Sequence, residues 1–177
     1  MELKEKKQTS QLIYQGKIID VYKDEVLCPN GKMSTRELIR HCKAVCILAK
    51  KDDKFILEQQ YRYPYDEVIY ELPAGKLDEN EDLASGAIRE LEEETGYHAN
   101  NIEMIGKMYP ACGYSDEVIY LFYSDDLEKR EVHLDEDEAI NYGFYSMQEI
   151  ENMVKEGLLV DGKSLCLLYQ YKLLKQK

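Results

Sequence analysis

Apolar and polar residues alternate along much of this chain. Between residues 11 and 40, Ile13, Ile18, Val21, Val26 and Leu27 stand among polar neighbours, and Pro29-Asn30-Gly31 breaks the run. That pattern predicts antiparallel strands folding back at the Pro-Asn-Gly turn. Residues 43–49 and 54–62 read as two further strands around a polar tip at 50–53, and residues 66–72 extend beyond them. Strands are also expected near 102–109, 117–123 and 139–145. Cys42, Ala44, Cys46 and Leu48 share one face of their strand by period-two alternation, so burial is expected for that face. The period lengthens at Ala84, Ala87, Ile88, Leu91 and Thr95, whose spacings of three and four mark an amphipathic helix that Gly96 would end. Two helices finish the chain. Ser146 and Glu149 have capping-box spacing ahead of Ile150, Met153 and Val154, while Leu165, Leu168 and Tyr169 supply the stripe of the last helix. Short strands followed by helices at intervals predict an α/β fold, a mixed sheet sandwiched between helices, with an additional antiparallel unit at the N-terminus.

The helix near residue 90 carries more charge than its fold requires. At about 100° per residue, Glu90, Glu93 and Glu94 fall within an arc of roughly 100°, whereas Glu92 points elsewhere. Like charges this close repel one another, and a divalent cation would relieve the repulsion. Oxygen ligands suit Mg²⁺ or Mn²⁺ rather than zinc. A solvated acidic face is the ordinary alternative for a Glu-rich helix. The flanking residues decide between the two.

Composition narrows the setting. A chain of 177 residues fits one domain with at most a small appendage, here residues 1–40 against residues 41–177. The net charge of −12 argues against nucleic acid as a partner, since phosphate contacts need a basic surface. No apolar run is long enough for a bilayer, no signal segment opens the chain, and five cysteines form no disulfide-like framework. A cytoplasmic protein is expected. Lys4, Lys6 and Lys7 read as a frayed tail.

Gly75 is followed by Glu81, Arg89-Glu90-Leu91, Glu93-Glu94 and Gly96-Tyr97 at fixed offsets. This resembles the Nudix box, departing only at its last position, where tyrosine replaces the usual aliphatic residue. The resemblance implies a Nudix-type α/β/α sandwich and a metal-dependent hydrolase of diphosphates linked to another group. By the family pattern Glu90, Glu94 and the Ala74 carbonyl would be metal ligands. Glu93 would bind metal directly or through water, and Arg89 would orient a box carboxylate.

Beyond the box, LEQQYRYP, ELPAGK, GYSDE and the acidic DEDEAI segment are similar to the ADP-ribose pyrophosphatase branch. That likeness places Arg62 and Arg36 toward the diphosphate or its sugar, with an ion pair to Glu37 or a neighbour as the alternative for Arg36. It places Glu71 beside the metal or on a ribose, and Glu136 or Glu138 on the attacking water. It also implies a homodimer built through residues 1–40. One departure concerns substrate choice: Cys112 precedes Gly113 where the branch has proline, and Pro110 falls earlier. The expected activity is hydrolysis of ADP-ribose to AMP and ribose 5-phosphate with Mg²⁺. Another nucleotide sugar or a dinucleotide is the alternative substrate, and a non-catalytic ADP-ribose sensor the alternative role.

Overall fold

The computed structural model describes residues 2–134 and 139–175, which form two compact units. The first unit comprises Met1–Lys43 together with Tyr109–Val118. Its sheet is a meander of β1 (Lys6–Gln15), β2 (Asp20–Leu27) and β3 (Met33–Arg40), antiparallel throughout. Gly31 takes φ +80°, the left-handed turn that Pro29-Asn30-Gly31 predicts. The first strand starts earlier than expected. Lys6 and Lys7 pair with Leu27 and Val26, so the basic start is ladder rather than frayed tail. Buried Asp24 accepts a hydrogen bond from Ser10 Oγ at 2.5 Å across that ladder. The segment Tyr109–Val118 is held against the end of β3, with Asp116 accepting from Arg40 Nη1 at 2.8 Å and from the His41 N–H at 3.0 Å.

The second unit is an α/β/α sandwich. β4 (Ala44–Lys51) turns at Asp52-Asp53 into β5 (Lys54–Arg62), and both turn residues have positive φ, as a two-residue hairpin of matching twist requires. β6 (Glu67–Glu71) pairs with β5, after which β7 (Ala74–Lys76) crosses to pair with Ala44–Cys46 of β4. The helix α1 (Leu83–Thr95) follows, then β8 (Tyr97–Ala99) and β9 (Glu103–Met108). β10 (Ile119–Ser124) runs parallel to β4 and antiparallel to β9. β11 (Leu127–Lys129) pairs with β8, and β12 (Ile140–Tyr145) closes the sheet on β5. α2 (Met147–Lys155) and α3 (Gly162–Lys175) finish the chain. The short β7, β8 and β11 were not expected; three residues carry too little alternation to announce a strand.

Alternation along β4 divides the core. Ala44, Cys46 and Leu48 face Ile150, Met153, Leu167 and Leu168 of α2 and α3, while Val45, Ile47 and Ala49 face Ala87 and Leu91 of α1. Two of the expected burials do not occur. Cys42 lies before the strand and is exposed, and Tyr169 is 65% exposed. The buried stripe of α3 is Ser164, Leu167 and Leu168, with Tyr171 packed edge-on against Phe55 at 5.6 Å. Tyr97, the departure at the end of the box, is filled space: it meets Tyr142 and Phe144 edge-on at 6.3 and 5.7 Å. No described helix is long and apolar enough to cross a membrane.

Candidate active site

The box helix is set by its ends. Asp82 caps it by accepting from the Ala84 and Ser85 N–H groups at 3.1 Å each, and Gly96 closes it with φ +66°. Ala87 and Leu91 are buried against β4, which turns Arg89, Glu90, Glu93 and Glu94 toward the β7 side and the adjoining surface.

Arg89 organises the carboxylates. Its Nε and Nη2 bind Glu81 at 2.8 Å each, its Nη1 binds Glu90 at 2.9 Å and Glu93 at 2.8 Å, and Nη2 also reaches the Lys76 carbonyl at 3.1 Å. One planar fork thus holds three carboxylates of the box. The Arg89 hydrogen bonds pull the Glu81 carboxyl down to about 2, helped by the Asp78 N–H, while the guanidinium's own pKa is pushed up, first by Glu81.

Glu94 is 5% exposed, and its Oε2 accepts from the Ala74 N–H at 3.0 Å. Glu90 approaches the next residue. A Cβ placed on Gly75 would lie 2.0 Å from Glu90 Oε2, so only glycine admits that carboxylate beside the β7 backbone. Glu92 is not held by Arg89: it binds Arg130 at 3.1 Å and His98 Nδ1 at 2.6 Å, although it lines the cleft beside Arg89 and Glu93.

These residues fit a hard divalent cation in kind: Glu90 and Glu94 bring carboxyl oxygens to the Ala74-Gly75 backbone, and Gly75 leaves room there. Among the described residues, no three His, Cys, Asp or Glu side chains converge as a ready cage. Mg²⁺ does not need one, since it takes one or two carboxylates and fills the remaining positions with water and substrate phosphate.

A second ionic cluster lies in the same unit. Arg62, at the end of β5, binds Glu71 through Nε at 2.5 Å and Nη2 at 2.9 Å. Lys163 on α3 binds the same carboxylate and also Asp161 at 3.1 Å. Neither Lys163 nor Asp161 was singled out from sequence. A lone Asp-Gly-Lys-Ser reads as a helix start, and its partner is 92 positions away. Arg36 is in the first unit, where it binds Glu5 through Nε at 3.0 Å rather than Glu37, which points to the opposite face of β3. Glu136 and Glu138 lie outside the described residues. His133, also unforeseen, donates its N–H to the Glu93 carbonyl at 3.1 Å and lines an open cleft of about 600 Å³ with Arg89 and Glu93.

The NUDIX domain model matches residues 40–167. The chain is 39% identical over 179 residues to the ADP-ribose pyrophosphatase of Bacillus subtilis, covering 98% of this chain and 95% of that one. It is 37% identical over 164 residues to the methanol dehydrogenase activator of Bacillus methanolicus, covering 91% and 89%. A solved structure titled as an ADP compounds hydrolase superposes with a TM-score of 0.90 over 99% of this chain and 97% of that one; at 20% identity this speaks for the fold alone. The chain belongs to the Nudix family as a pyrophosphohydrolase.

Proposed function

We propose that this enzyme hydrolyses ADP-ribose to AMP and ribose 5-phosphate, using Mg²⁺, with Mn²⁺ as a substitute. The observation that carries the reading is the box itself: Glu90 and Glu94 stand at the Ala74-Gly75 backbone, and Arg89 holds Glu90 and Glu93 from behind. The full-length likeness to a protein named ADP-ribose pyrophosphatase supports the substrate.

Glu90, Glu94 and the Ala74 carbonyl would hold the metal, with Glu93 binding it directly or through water. When bound, the divalent ion supplies charge neutralisation for the diphosphate, a more acidic water and a stabilised leaving oxygen. Arg89 fixes the direction of the Glu90 and Glu93 carboxylates, so the site need not reorganise as charge develops. Arg62 gives the anionic diphosphate or its sugar a cationic fork in a protein of net charge −12, while Arg36 is engaged by Glu5 within the first unit. Glu71 lies beside the metal or the ribose and acts there by holding Arg62, and Glu136 or Glu138 positions the attacking water. Water adds to one phosphorus, the bridging P–O bond breaks, and each product leaves as a monophosphate.

The enzyme acts in the cytoplasm as a homodimer joined through residues 1–40. Exposed Leu12, Ile13 and Tyr14 on the edge strand β1 support that use of the first unit.

Purified enzyme with ADP-ribose and Mg²⁺ should release AMP and ribose 5-phosphate in equal amounts by chromatography, and chelation of the metal should stop release. No turnover of ADP-ribose or of any nucleotide sugar would overturn the reading. A second reading keeps the chemistry and changes the substrate to another nucleotide sugar or a dinucleotide, because Cys112 replaces the branch's proline before Gly113. A substrate panel separates the two. A non-catalytic sensor is disfavoured, since no box carboxylate is missing.

A further inference from the structure

Glu71 is an acid that two cations share. Its side chain is 4% exposed, so its charge has to be compensated inside the protein. Arg62 and Lys163 both reach it, but they are held differently. Arg62 ends β5 next to the exposed Tyr63-Pro64-Tyr65 turn, and its side chain is 37% exposed. Lys163 is 14% exposed and anchored in the first turn of α3.

That turn is stitched to the strand it serves. Asp161 accepts from the Ser164 N–H at 2.9 Å and from Ser164 Oγ at 2.6 Å, and Ser164 Oγ accepts from the Leu72 N–H at 2.8 Å. The Lys163 ammonium therefore sits beside Glu71 whatever Arg62 does. Asp161 and Glu71 keep it charged against the cost of burial. Were Arg62 the sole counter-ion, moving it to a phosphate would strand a buried carboxylate, and that penalty would be subtracted from substrate affinity.

We propose that Lys163 is a positioning residue that acts as the standing counter-ion of Glu71, leaving Arg62 free to transfer its guanidinium to the diphosphate of the substrate. The inference rests on the proposed hydrolysis of ADP-ribose and adds to it a residue outside the box. Lys163 touches neither substrate nor metal in this role; it sets how readily Arg62 can be given up.

The test is a kinetic cycle with Lys163→Met, Lys163→Arg and Arg62→Gln, using ADP-ribose and Mg²⁺. Loss of the ammonium should raise KM about tenfold while kcat stays within about twofold, and Lys163→Arg should restore KM. In the Arg62→Gln background Lys163→Met should add no further rise, because the cation it frees is gone. A folded Lys163→Met enzyme with wild-type KM, or KM effects that multiply in the double variant, overturns the proposal. If Lys163→Met does not fold, the unaltered protein labelled with ¹⁵N-arginine and ¹⁵N-lysine is titrated with the uncleavable α,β-methylene analogue of ADP-ribose. The Arg62 side-chain resonance should then move while that of Lys163 stays, and an Arg62 resonance unmoved at saturation overturns it. Absence of turnover by the wild-type enzyme is a different result, which removes the activity itself rather than the role of Lys163.

Discussion

Two ionic clusters in the second unit show opposite styles of construction. Around Arg89, Glu81, Glu90 and Glu93 come from within eight positions of the arginine, and Glu93 is 39% exposed. Around Glu71, Arg62 and Lys163 come from nine and ninety-two positions away, and the carboxylate is 4% exposed. The first cluster is an excess of acid arranged by one base, poised for a further cation. The second has two bases and two acids, counting Asp161, and is nearly neutral before any ligand arrives. Open, acid-rich sites invite metal, whereas in closed, balanced ones the charges compensate one another, so that one cation can be lent without stranding the acid.

The largest expected effect falls on the box helix beside the open cluster, at the buried Glu94. Glu94→Gln keeps the volume and the acceptor for the Ala74 N–H but removes ligand charge, so kcat/KM should fall roughly 10³-fold, about 4 kcal/mol, with an unchanged thermal midpoint. A midpoint falling in step with activity would mean that Glu94 serves the fold rather than the metal. The closed cluster should behave the other way. Glu71→Ala leaves Arg62 and Lys163 facing each other and should cost about 3 kcal/mol of stability in urea unfolding.

Gly75→Ala comes next and is expected to touch both stability and activity. Its new methyl would meet the Glu90 carboxylate, so the box loop must shift at a cost of about 1–3 kcal/mol in stability, and activity should drop further than stability explains. Activity retained in full would mean that Glu90 need not approach β7. The smallest effect is on pH. Glu81, held by Arg89 at about 2 against an ordinary 4.5, binds fewer protons folded than unfolded. Its contribution is thus complete above 4.5 and disappears as pH falls toward 2. Replacing Glu81 by Gln should flatten the acid limb of a stability–pH curve in that window.

Much of the architecture is legible in the amino-acid sequence. The hairpin at Asp52-Asp53, the capped helix ending at Gly96 and the Ser146/Glu149 capping box are local devices whose signals lie within a few residues. The departures from local pattern are of another kind. Tyr169 matched helical spacing but faces solvent, because the core side of α3 is chosen by β4, β9 and β10 rather than by its own weak pattern. Cys42 matched the alternation of β4 yet lies two residues before the strand begins.

The amino-acid order alone determined the box helix and the offsets that bring Arg89, Glu90, Glu93 and Glu94 to neighbouring faces, because one helix turns through a fixed angle per residue. Only the tertiary structure decided that β7 would carry Ala74 and Gly75 under those carboxylates, and that α3 would return Lys163 to Glu71. Contacts across twenty or ninety-two positions are selected by the packing of whole elements, and no short stretch of sequence encodes them.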